Sequence, residues 1–172
     1  SEVEKLLREL EDVIRRLRED VKRIVEEDER LNKRLNDELR RLSEKNDRLN
    51  DRIRREVTDK DKAMKALDDS NKELEKVIRE ILELLKRSLD KARKVLEDIE
   101  KTLRDILREL EKRLEDKEKV KRLRELVKKV IEDMERILRR LEKANRESAE
   151  RAKDVLRRNH KKDEDSKREL ER

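Results

Sequence analysis

Between residues 78 and 114 apolar side chains recur almost without interruption, at Ile78, Leu82, Leu85, Leu89, Ala92, Leu96, Ile99, Leu103, Ile106, Leu110 and Leu114. The steps between them are fours and threes, so on a helix turning about 100° per residue they stay on one narrow stripe. Ile81, Ser88, Val95 and Thr102 form a second row beside it. A helix with two such rows faces two neighbours, and this segment organises the rest of the chain.

The same spacing appears on either side. Val3, Leu7, Leu10, Ile14, Leu17, Val21 and Ile24 make a seam that continues to Asp28 and then moves across by one row, to Asn32, Leu35, Leu39, Leu42, Asn46, Leu49 and Ile53. A straight helix drifts by about 20° per heptad against a 3.5-residue repeat, which accounts for the shift. Val120, Leu123, Val127, Val130, Met134, Ile137, Leu141, Asn145, Ser148, Ala152, Val155 and Asn159 carry the last seam. Thr and Asp cluster in Val57-Thr58-Asp59-Lys60-Asp61, good N-cap chemistry for a break. A weaker break falls at Leu114-Glu115-Asp116-Lys117-Glu118, where the seam phase resets. Ser1, with Glu4 three residues on, opens the first helix as a capping-box-like start. The pattern predicts one elongated all-α domain over residues 1–172: helix 1 over about 2–57, helix 2 over about 60–115 and helix 3 over about 118–168, with a frayed polar tail from Asn159 to Arg172.

Short connections between near-equal helices imply antiparallel neighbours, and hence an up-down-up three-helix bundle. With turns near 58 and 116, residue i of the first helix lies level with about 117 − i and 117 + i. Leu10 then meets Leu107 and Val127, Ile14 meets Leu103 and Ile131, and Leu39 meets Ile78 and Leu156. Polar seam residues also share heights: Asp28 with Ser88 and Asn145, Asn46 near Asn71 and Asn159, and Asn50 with Asp68 and Ser166. Asp28, Ser88, Asn145, Asn46, Asn71 and Asn159 are the candidate polar layers. Such groups cost stability and in exchange fix register and partner number. Asn32, Asn36, Ser43 and Asn50 lie on or beside the edge of the stripe, where bonding to water competes with burial.

Composition sharpens the picture. The 172 residues include no Gly, Pro, Cys, Trp, Tyr or Phe, and 59% are charged. Without periodicity, that much charge means disorder; with it, and with Leu, Glu, Lys and Arg dominant, it means exposed helix faces. Natural domains use Gly at about 7% and Pro at about 5%, which sets this chain apart. The net charge of +6 lies in the last third, where 21 basic residues face 14 acidic ones over residues 117–172. Interleaved acids and the lack of aromatics to stack on bases argue against specific nucleic-acid recognition and leave weak, salt-sensitive adhesion. No apolar run approaches the roughly 20 residues of a membrane span, and no signal peptide opens the sequence.

The Leu/Ile seam, the Glu/Lys/Arg surface, the isolated Asn and Ser layers and the missing aromatics together resemble de novo designed, parametrically built helical bundles with buried hydrogen-bond networks, over the whole chain. That resemblance implies a designed structural scaffold with no natural biochemical function, no cofactor and no required partner. The alternative is an interaction module that homo-oligomerises or binds a partner helix through apolar flanks such as Val77, Leu84, Leu107 and Leu114. No catalytic role is expected. The acidic residues alternate with basic ones as surface ion pairs do, and no nucleophile–base arrangement or Gly-rich phosphate loop is present. His160 with Asp163 would supply two metal ligands where a site needs three or four.

Overall fold

The computed structural model describes residues 1–56 and 59–172. Among these the chain forms three helices and no strand: α1 (Glu2–Glu56), α2 (Lys60–Arg113) and α3 (Lys117–Glu171). The helices run almost to the limits the periodicity implies. Of the first expected break, Val57 and Thr58 lie outside the described residues, while the second falls at residues 114–116.

Among the described residues, each helix is started by a side chain that caps its first turn. Asp59 Oδ1 accepts from the backbone N–H groups of Asp61 (3.1 Å) and Lys62 (3.3 Å). Asp116 Oδ1 does the same for Glu118 (3.0 Å) and Lys119 (3.3 Å), and Ser1 Oγ accepts from Glu4 N–H (3.3 Å). These bonds satisfy N–H groups that the first turn leaves without a helical acceptor. No described residue has a positive φ. Basic residues close each helix, Arg54 and Arg55 in α1 and Lys112 and Arg113 in α2, where they complement the partial negative charge of the C-terminus.

The chain divides into two compact units, one of residues 1–28 and 87–143, the other of residues 29–86 and 144–172. In the first unit, segments of all three helices pack as an antiparallel bundle. Its core is aliphatic: Leu10, Val13, Ile14, Leu17 and Val21 from α1, Leu96, Leu103, Ile106 and Leu110 from α2, and Val127, Val130 and Ile131 from α3. Ile24, Ala92 and Leu141 extend it. Ion pairs flank this core, with Arg93 reaching Glu142, and Arg124 reaching Glu111.

The second unit has the same three-helix packing and a mixed core. Leu35, Leu39, Leu42, Leu74, Ile78, Ile81, Leu85 and Ala152 form its main cluster, and Ile53, Ala63 and Leu67 a smaller one, against which Leu49 and Leu170 pack. One expectation is corrected here. The segment from Asn159 onward is not frayed: α3 continues to Glu171, burying Asn159, Asp163 and Ser166 and packing Leu170 on the small cluster. Its polarity had concealed an inward face, since polar side chains that bond across helices hold a helix in place as apolar ones do. The apolar flanks are covered in part. Val77, Leu107 and Leu114 pack against the clusters, and of that group only Leu84 is exposed.

Candidate functional site

The feature with the most chemical definition lies in the second unit, where polar side chains from all three helices meet. Asp163 of α3 is 1% exposed. Its Oδ1 accepts from Asn46 Nδ2 (3.1 Å) and Asn50 Nδ2 (2.9 Å), both on α1, and its Oδ2 accepts from Asn71 Nδ2 on α2. An outer ring holds the amides in turn. Ser70 Oγ donates to Asn46 Oδ1 (3.1 Å), Ser166 Oγ donates to Asn50 Oδ1, and Asn50 Nδ2 also reaches the backbone carbonyl of Asn46 (2.9 Å). A buried carboxylate is costly unless its lone pairs are filled, and three amide donors aimed at two oxygens do that here. Asn71 Oδ1 is buried with no hydrogen-bond partner among the described residues.

A second polar set occupies the same unit nearer residue 145. Asn32 Nδ2 donates to Asn145 Oδ1 (3.2 Å), Ser148 Oγ donates to Asn32 Oδ1, and Arg151 Nη2 donates to Ser148 Oγ (3.0 Å). Surface ion pairs flank the Asp163 set along the chain: Lys45 with Glu73 (3.0 Å), Lys162 with Asp47 (2.5 Å) and Lys167 with Asp68 (2.9 Å). The hydrogen bond from Lys167 to Asp68 holds the lysine's pKa above its ordinary value, burial acts against this, and the charges of Asp68, Glu164 and Asp163 reinforce it.

The six residues singled out in the sequence are placed as follows. Asn46 and Asn71 are buried and joined through Asp163. Asn159 is buried one turn before Asp163. Asn145 is half-buried and bonded to Asn32. Asp28 and Ser88 are buried in the first unit, and Ser88 Oγ has no hydrogen-bond partner among the described residues. Asp163 was missed as a layer member, although 117 + 46 is 163; an acidic residue in a charged tail looked solvated. Ser166, expected level with Asn50, is its donor.

His160 and Asp163 do not face the same way. His160 is exposed, with Nε2 3.5 Å from Glu75, while Asp163 is turned inward. No group of three or more His, Cys, Asp or Glu among the described residues is arranged to hold a metal. None of the described helices is long and apolar enough to cross a membrane. The site's chemistry is hydrogen bonding among fixed amides, hydroxyls and one carboxylate.

Comparison with known proteins agrees on the fold. No family model and no curated protein matches the chain. A solved structure described as a "Computationally designed three helix bundle" is similar with a TM-score of 0.60 and 16% identity, covering 98% of this chain and 90% of that one. At such low identity the similarity concerns architecture: this chain is an all-α three-helix bundle with buried polar residues.

Proposed function

We propose that the chain is a designed structural scaffold whose polar interior selects one helix register and one set of partners. The observation that carries this reading is the Asp163 cluster, in which amides from two helices converge on one carboxylate of the third in a single alignment. Sliding α3 by one turn against α1 would bring Asn159 or Lys167 to the position of Asp163, and three amide donors would lose their acceptor. That penalty has no counterpart in a uniform Leu seam, which accepts a heptad slip or a further chain at little cost. The similar solved structure is a designed three-helix bundle, and the lack of any Gly or Pro fits a sequence chosen position by position. The role is structural and non-catalytic, and it requires no cofactor, no membrane and no nucleic acid.

A second reading keeps one observation of its own. Leu126 is 44% exposed and Leu84 37%, so each unit presents a large apolar side chain to solvent. Self-association through those faces is the alternative. Molecular mass by light scattering at two concentrations, for the parent and for a variant with Asn46, Asn50, Asn71 and Asp163 replaced together by Leu, decides between them. The scaffold reading expects a parent of constant mass and a variant of raised or mixed mass. A parent whose mass grows with concentration, and falls back with Leu84→Glu and Leu126→Glu, supports the alternative.

A further inference from the structure

The aliphatic interior of the first unit is not filled evenly. Along its inward stripe α2 sets Leu96, Leu103, Ile106 and Leu110 against the neighbouring helices, but one turn before Leu96 the stripe carries Ala92. Alanine ends at Cβ, three carbons short of the leucines on the same stripe, and a packed core closes such a gap only in part. A cavity remains there. It is lined by Val21 and Ile24 of α1, Ala92 and Leu96 of α2, and Leu141 of α3, all buried, and by half-buried Met134.

We propose that this cavity is a binding site for one small apolar solute, a xenon atom or a gas or hydrocarbon molecule of similar size. It offers about 10 Å³ to the centre of a water-sized sphere. Gathered into one lobe and widened by that sphere's own radius of about 1.4 Å, this is a void roughly 2.7 Å in radius, room for xenon at about 2.2 Å. Water fits by size but not by chemistry. Every residue around the cavity is Ala, Val, Leu, Ile or Met, whereas a buried water needs about 2–4 polar partners.

Side chains that face an empty space forgo dispersion contacts, and a polarizable atom set among them restores those contacts without breaking a hydrogen bond. Met134 is the adaptable part of the wall. Its unbranched thioether turns about three bonds, where Val21 and Ile24 are held stiff at χ1 by branching. The unpartnered hydroxyl of Ser88 lies one turn before Ala92 but is not among the lining groups, so the site is apolar throughout. The second unit supplies an internal control, because Leu35 and Leu74 are 0% and 1% exposed within its own aliphatic cluster. The binding site lies in the aliphatic unit and does not depend on the Asp163 network or on the scaffold role.

The experiment equilibrates the methyl-labelled parent chain with xenon gas at rising pressure and follows its methyl signals by NMR. The expected result is that Ile24, Ala92 and Leu141 shift along one saturating curve, while Leu35 and Leu74 shift little and in proportion to pressure. Ala92→Val, which fills the void, should abolish the saturating response in a chain that circular dichroism shows to be folded. Leu141→Ala, which enlarges the void, should move saturation to lower pressure. The site is refuted if Ile24 and Leu141 shift no more than Leu35 and Leu74, if their shifts do not saturate, or if Ala92→Val responds as the parent does. Water protons that give a cross-relaxation signal to the Ile24 and Leu141 methyls refute it too, since the cavity then holds water. The parent titration and the water measurement decide by themselves should either variant fail to fold.

Discussion

The two units solve the same packing problem with different interiors. In the first, α1, α2 and α3 interlock through Leu, Ile and Val, and polar intrusion is limited to Asp28 and Ser88. In the second, aliphatic clusters alternate with amides, hydroxyls and a buried carboxylate, and Asn46, Asn50, Asn71, Ser148, Asn159, Asp163 and Ser166 are all buried. Each buried aliphatic side chain stabilises by about 1.5–3 kcal/mol, whereas a satisfied hydrogen bond gains about 0.5–1.5 kcal/mol net. The difference separates two tasks that are often conflated. The aliphatic interior supplies most of the free energy, and the polar one supplies discrimination among alignments.

The largest effect should come from truncating the aliphatic interior. Leu103, fully buried in the first unit, should cost about 2–5 kcal/mol as Leu103→Ala in chemical denaturation. Amide exchange should then be slowest around residues 10–17 and 103–110 of the parent; slowest exchange around residues 49–55 and 63–71 would reverse the ranking of the units.

Next in size is the network. Asp163→Leu alone strands three amide donors and should cost about 1–3 kcal/mol despite the added apolar surface. Replacing Asn46, Asn50, Asn71 and Asp163 by Leu, with Ser70 and Ser166 to Ala, should instead stabilise by about 1–4 kcal/mol, because no buried partner remains unmet. If the single change also stabilises, the network carries no coupling and the contrast between the interiors disappears. A smaller gain, about 1 kcal/mol, is expected for Ser88→Ala in the first unit, since it deletes a buried hydroxyl with no partner among the described residues. A loss there would show that the hydroxyl is satisfied in solution.

The smallest effect is electrostatic. The hydrogen bond from Arg124 lowers the Glu111 pKa, with burial opposing it. Its contribution is therefore present above the unfolded carboxylate pKa and fades as pH falls through the depressed folded value. Glu111→Gln should flatten that part of the pH–stability curve slightly, and high salt should erase the difference, since the pair is solvent-exposed. A difference that survives high salt would make this pair more than a surface contact.

Much of this architecture was legible because one period governs the whole sequence. The 117 ± i register places Leu10, Leu107 and Val127 in one cluster and Leu39, Ile78 and Leu156 in another, as found. What escaped was tied to side-chain identity rather than position. Asp163 obeys the register with Asn46, but a carboxylate among Lys, Glu and Arg carries no sign in sequence of which way it faces. Asn32, on or beside the edge of the stripe, is half-buried as such a position allows, and its partners Asn145 and Ser148 come from α3. The helix ends were readable for the opposite reason: Asp59 and Asp116 cap by local geometry, which depends on few neighbours.

The division of the chain also bears on the order of assembly. Residues 87–143 of the first unit are contiguous, an α2–α3 hairpin closed by the short turn at 114–116, and residues 29–86 of the second are contiguous in the same way across α1 and α2. Each unit therefore consists of one hairpin whose closure is local and one strand of helix, 1–28 or 144–172, that returns from the far end of the sequence. Contacts of low sequence separation form early, and the remote segment pays the larger loop-closure entropy. In the first unit that remote segment packs on an aliphatic groove, where a shift of register costs little. In the second it carries Asp163, the acceptor for three amides of α1 and α2, so the contact of large sequence separation is also the one that checks the register.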